Sequence, residues 1–178
     1  MILSNVISDA QSAFVPNKLI ADNTSLTFEM LHHMRNRRKG KIGHMAVKLD
    51  ISKAYDRVEW SFLRQTMLKI GLPVQWVDMA METVQTATYS ILINGEPRGH
   101  ITPTRGIKQG DPLSPNLFLL CAEGLSSMLQ KATNTKELHG ITPCRGGVQI
   151  SHLLFANDSL LFCEATPGEC HRLFGFIG

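Results

Sequence analysis

The stretch Leu153-Leu154-Phe155-Ala156-Asn157-Asp158-Ser159-Leu160-Leu161-Phe162 constrains this chain more than any other. Two apolar runs joined by short polar residues that tolerate positive φ form the pattern of a tight β-hairpin. Upstream, Val47-Lys48-Leu49-Asp50 reads as another strand end with an acidic tip, followed by Ile51-Ser52-Lys53-Ala54-Tyr55-Asp56. A strand-end aspartate and a polar hairpin tip, distant in sequence, suit a site where carboxylates converge on divalent metals. Asn157 puts an amide where such a site would use a second aspartate at the tip.

The surrounding pattern predicts alternating helices and hairpins. Asp22-Asn23 can cap a helix that carries Leu26, Met30 and Leu31 toward Met34 and stops at Gly40. His44 to Ile51 alternates as a strand ending at Asp50. Glu59 to Ile70 reads as an amphipathic helix with Phe62, Leu63, Met67 and Ile70 on one face, and Pro73 opens a second helix. Thr88 to Ile93 is a strand, turned by Asn94-Gly95 into Arg98 to Thr102. After a Gly/Pro-rich loop, Ser114-Pro115 starts a helix carrying Leu117, Leu120, Cys121 and Leu125 and ending before Asn134. Helices interleaved with antiparallel hairpins predict an α+β layer rather than a doubly wound parallel sheet.

With 178 residues the chain suits one domain or two closely packed subdomains. Its net charge of +3 permits a nucleic-acid partner without demanding one. No apolar run approaches the roughly 18 residues of a membrane helix, and Met1 to Ala10 lacks the features of a secretory signal. Those readings predict an intracellular, non-secreted protein without a membrane span. Cys121, Cys144, Cys163 and Cys170 form no C-x-x-C pair and read as reduced thiols. The run Arg35 to Lys41 holds five cations, Arg35, Arg37, Arg38, Lys39 and Lys41, and is either a solvated loop or a phosphate contact.

Four motifs, in order, resemble the reverse transcriptase domain of non-LTR (LINE-type) retrotransposons, most of all those of plants. Gln11 to Pro16 with Ile20 to Asn23 resembles the fingers motif. Lys48 to Trp60 resembles polymerase motif A, Gly106 to Pro115 resembles motif B, and Phe155 to Asp158 resembles motif C, which the family normally writes with two aspartates. The resemblance implies an α+β right-hand polymerase fragment. Its expected parts are partial fingers over 1–47 and a palm over 48–178, with a small antiparallel sheet flanked by helices, truncated at both ends and without a thumb. It also implies addition of deoxynucleotides to a DNA primer on an RNA template with two Mg2+ ions. Asp50, Asn157 and Asp158 would then be the catalytic and metal-binding positions.

For the nucleotide, the resemblance implies Tyr55 under the incoming sugar and Gln109 and Gly110 against nucleotide and template. The backbone N–H groups of Lys53 and Ala54 could hold the triphosphate as an anion nest does. Lys18 stands where the family has arginine, which keeps the charge but loses the planar fork. The basic run would contact nucleic acid. Bland alternatives stand beside each role: a strand-end cap for Asp50, a turn dipeptide for Asn157-Asp158, a core aromatic for Tyr55 and a loop glycine for Gly110.

Asn157 removes one negative charge from the metal site. One charge pair at about 4 Å and an effective dielectric of about 20 is worth about 4 kcal/mol. Losing several kcal/mol implies activity at least about 100-fold lower, so the expectation is an impaired copy. The alternatives are a non-catalytic nucleic-acid-binding remnant and an open reading frame without a stable product.

Overall fold

The structure, a computed structural model, describes residues 6–37, 40–144, 146–156 and 158–176. Arg38, Lys39 and Asn157 lie outside the described residues. Along the chain run α1 (Ile20–Asn36), β1 (His44–Asp50), a 3-10 turn (Ala54–Arg57), α2 (Trp60–Lys69), α3 (Val74–Gln85), β2 (Tyr89–Ile93) and β3 (Glu96–Ile101). The long helix α4 (Ser114–Asn134), β4 (His152–Phe155), β5 (Asp158–Glu164) and α5 (Pro167–Gly175) follow. These elements form two compact units, one from 1–52 with 122–178 and one from 53–121. β1 shares a unit with the later part of the chain because its pairing partner, β5, lies there.

The first unit is built on a three-stranded antiparallel sheet in the order β1-β5-β4. Side chains alternate between the two faces of a strand, and here each face has its own cover. Met45, Val47 and Leu49 of β1 with Leu161 and Cys163 of β5 pack against Leu129 and Ala132 of α4, Leu138, and Leu173 of α5. On the other face, Ala46, Leu160, Phe162, Leu153 and Phe155 meet Leu26, Met30 and Met34 of α1 together with Ile141 and Ile150. Fully burying one such side chain is worth about 1.5–3 kcal/mol. The double cover explains why β5 reads as a nearly continuous apolar run.

Two expectations about α1 fail for a tertiary reason. The helix starts at Ile20, and its N-cap, Leu19, makes no side-chain cap bond. Asn23 is instead buried within the helix, where its amide donates to the Ala10 carbonyl at 2.9 Å and the Leu154 carbonyl at 3.3 Å. The side chain thus ties α1 to the end of β4. Leu31, expected on the core face, is exposed.

In the second unit α2 and α3 pack on each other, with Leu63, Thr66, Met67, Val77, Ala80 and Met81 buried. Phe62 lies off this face and Thr66 takes its place. β2 and β3 form the expected hairpin. Asn94 and Gly95 both adopt positive φ, 52° and 82°, as a two-residue type I′ turn requires. Every residue of the two strands is exposed. Helix α4 runs on through Asn134, its first eight residues in the second unit and the rest in the first.

Candidate functional site

Asp50 and Asp158 are direct cross-strand partners, the last residue of β1 opposite the first of β5. Opposed residues of an antiparallel pair project from the same face, with Cβ atoms about 4.5–5.5 Å apart. Phe155 also pairs with Asp158, so β4 and β5 form a tight hairpin that β4 leaves through Ala156. Ala156 has φ 53°, the left-handed region an L-residue usually avoids. Positive φ is expected at this junction from its polar residues, but here it falls on an alanine, an unusual choice for that region.

Asp158 is half-exposed, yet its Oδ1 is buried and accepts no hydrogen bond among the described residues. The Lys48 ammonium stands 3.2 Å from that oxygen, an ion pair without hydrogen-bond alignment. Lys48 lies two residues before Asp50 and so shares its face of β1. Two opposed carboxylates, one with a buried oxygen that lacks a hydrogen-bond donor, form a hard oxygen set of the kind divalent Mg2+ or Mn2+ prefers. The residues fit a divalent ion.

The second unit holds most of the residues expected to touch nucleotide. Lys53 has φ 54° and ψ 46°, left-handed, and the right-handed 3-10 turn follows it directly. That alternation forms a concavity of N–H groups of the kind that cradles anions. Ala54 is buried. Tyr55 is half-buried, its ring stacked on Phe118 with centroids 5.2 Å apart and planes 9° from parallel. Burial pushes its phenol pKa up.

The start of motif B is fastened to this turn. The Ile107 N–H donates to the Tyr55 carbonyl at 2.9 Å, the Gly106 N–H to the Val58 carbonyl at 2.8 Å, and the Trp60 indole N–H to the Gly106 carbonyl at 2.7 Å. Gly106 has φ 88°, and a Cβ there would lie 3.1 Å from the Asp56 Cα and carbonyl oxygen. Within this segment the close approach of backbone to backbone is made at Gly106. At Gly110 a Cβ would meet nothing within 4 Å, and its φ of 87° serves the turn closed by the Asp111 N–H on the Lys108 carbonyl. Gln109, in the same turn, is exposed.

Lys18 already has protein partners: its ammonium donates to the Ser8 carbonyl at 2.7 Å and pairs with Asp9 at 3.0 Å. In the basic run, Arg35 and Lys41 are exposed and Arg37 contacts the His44 ring.

Two polar clusters have no local signature in the sequence, since their members come from separate elements. His139, Glu164 and Glu169 bring potential ligand atoms within 4.8 Å of one another. The buried Glu169 carboxylate, however, already accepts from the Glu164 N–H at 2.9 Å, the His139 N–H at 3.2 Å and the His139 ring at 2.5 Å. Its own hydrogen bonds close the cluster. His152 is buried between Ser126 Oγ at 2.8 Å and Ser151 Oγ at 2.9 Å, and burial lowers its pKa to about 4. All four cysteines are free; burial raises the Cys121 thiol to about 12 and Cys163 to about 11.

The chain is 50% identical over 68 residues to an uncharacterized mitochondrial protein of Arabidopsis thaliana, covering 38% of this chain and 56% of that protein. It is 30% identical over 158 residues to the retrovirus-related Pol polyprotein of a type-2 retrotransposable element of Drosophila melanogaster, covering 89% of this chain and 14% of the polyprotein. A corresponding polyprotein of Nasonia vitripennis is 29% identical over 163 residues, 92% of this chain and 15% of that one. The chain thus spans only a small part of the polyproteins it matches. Its fold resembles that of apo telomerase from Candida tropicalis, with a TM-score of 0.60 at 13% identity over 89% of this chain and 31% of the telomerase. Among the described residues no helix is long and apolar enough to cross a membrane. The family description that matches residues 1–174 is reverse transcriptase (RNA-dependent DNA polymerase), whose members use divalent metal ions and bind nucleic-acid template and primer. A match that continuous makes the chain a reverse transcriptase domain, homologous to the Pol polyproteins of non-LTR retrotransposons.

Proposed function

We propose that this chain is the fingers–palm part of an RNA-directed DNA polymerase, with Asp50 and Asp158 as ligands for Mg2+ and with catalysis impaired by Asn157. The observation that carries this reading is the register that sets Asp50 directly opposite Asp158. When bound, divalent ions supply activation of the attacking oxygen and stabilisation of the leaving phosphate. The two carboxylates hold the ions, and Asn157 offers a neutral oxygen in place of a third charge. Tyr55, braced by Phe118, presents an aromatic surface to the sugar of an incoming deoxynucleotide. The left-handed Lys53 and the turn after it offer N–H groups to phosphate. Gln109, Gly110 and Lys18 complete the proposed nucleotide contacts, and Arg35, Arg37, Arg38, Lys39 and Lys41 the contacts to RNA template and DNA primer.

The test is divalent-ion affinity, read alongside extension of a primed RNA template. Asn157→Asp returns one charge with little change of shape, and at least about tenfold tighter Mg2+ binding is expected, since about 1.4 kcal/mol suffices for that. Adding Asp50→Ala should abolish the gain. If Asn157→Asp leaves the affinity of the folded protein unchanged, the account of impairment is wrong. Tight binding of primed RNA without extension, even in Asn157→Asp, would favour a nucleic-acid-binding remnant.

A further inference from the structure

Asp50 and Asp158 face each other with like charge, and directly opposed like charges destabilise a strand pair. Lys48 answers that repulsion from within the same strand. Its ammonium stands 3.2 Å from Asp158 Oδ1, the oxygen that is buried and accepts no hydrogen bond among the described residues. We propose that Lys48 is a built-in competitor for the divalent cation: its ammonium balances the carboxylate pair and must leave Asp158 before a metal ion can bind there. This rests on the reading of Asp50 and Asp158 as metal ligands.

The argument is one of charge and reach. Oδ1 cannot serve an ammonium at ion-pair distance and a divalent ion at the 2.0–2.1 Å typical of magnesium without severe repulsion between the two cations. Lysine is a point charge on a flexible four-carbon stem. The Lys48 side chain is 62% exposed, so it has solvent into which to withdraw. The exchange therefore needs no movement of β1 or β5. It makes the carboxylate pair tolerable without metal and lowers its apparent affinity for metal, two effects of opposite sign from one side chain. Lys48→Met, which keeps the length and removes the charge, separates them.

Manganese(II) alone is the probe, with the free ion counted by its paramagnetic resonance signal. Breaking a partly exposed ion pair implies that Lys48→Met binds manganese about threefold more tightly or better than the unaltered chain. In excess chelator the same variant should melt at a lower temperature, and manganese should raise its melting temperature further than it does for the unaltered chain. Lys48→Arg, which keeps the charge, should stay near the original affinity. Asp158→Asn should lose binding in both backgrounds. Unchanged or weaker binding by Lys48→Met, with Asp158→Asn still losing it, overturns the competitor role and leaves the metal reading intact. If Asp158→Asn leaves the binding of Lys48→Met unchanged, the ion sits elsewhere and the metal reading itself falls. Lys48→Gln makes the same comparison should Lys48→Met fail to fold.

Discussion

β5 and β2 look alike on paper. One reads Asp-Ser-Leu-Leu-Phe-Cys-Glu, the other Tyr-Ser-Ile-Leu-Ile, and each belongs to a hairpin with a two-residue connection. In β5, Leu161, Phe162 and Cys163 are at most 1% exposed, whereas Ile91, Leu92 and Ile93 of β2 are 55–70% exposed. Apolar composition therefore did not decide burial. β5 is the middle strand of a sheet with helices on both faces, whereas β2 has only β3 beside it. A lone two-stranded hairpin is marginal by itself, and β2–β3 depends on its Asn94-Gly95 turn and on its attachment to the second unit.

The contrast can be broken most easily at Phe162. Phe162→Ala should cost about 3–5 kcal/mol, the usual range for deleting a buried aromatic ring, read as a lower urea midpoint. A loss below about 1 kcal/mol would mean that the two-faced packing around β5 is far looser than it looks.

Acid should sharpen the contrast next. His152 of β4 is buried, and its pKa drops from 6.5 to about 4. Between those values the unfolded chain binds a proton that the folded sheet refuses. Stability from this residue is fully present above about pH 6.5 and is lost as pH falls through about 4, by about 3 kcal/mol in all. Urea unfolding at several pH values should show that slope, and His152→Gln should flatten it. Comparing the two proteins isolates His152 from His44 and Glu123, which are also shifted by burial. A profile that His152→Gln does not alter would remove the proton linkage.

The smallest effect belongs to the exposed hairpin. Leu92→Ala should move stability by no more than about 0.5 kcal/mol, because Leu92 is 70% exposed. A cost comparable to that of Phe162→Ala would show β2 to be covered in solution and would erase the distinction.

What could be read in the sequence was local. The Asn94-Gly95 turn, the helix opened by Pro73, and the β4–β5 hairpin each follow from a few neighbouring residues, and the structure has all three. Asp50 stands at a strand end and Asp158 at a hairpin tip by sequence alone, and the structure puts the two in register. The misreadings involve partners far along the chain. Asn23 looks like a cap until the Ala10 and Leu154 carbonyls are brought to its amide. Gly106 looks like any loop glycine until the Asp56 backbone arrives 3.1 Å from where its Cβ would be. Lys48 has no carboxylate partner marked in its own neighbourhood, and pairing with β5 puts Asp158 beside it.

The register of β1 against β5 also has a consequence in time. The strands join residues 108 positions apart, from Asp50 to Asp158. At a synthesis rate of about 5–20 residues per second, β1 leaves the ribosome about 5–20 s before β5 exists. For that interval Val47 and Leu49 sit in a strand whose hydrogen-bonding edge has no native partner, and the loop to be closed is long. The second unit, 53–121, is made entirely within the wait. Until β5 arrives, that unpaired apolar strand is the kind of exposed edge that favours aggregation.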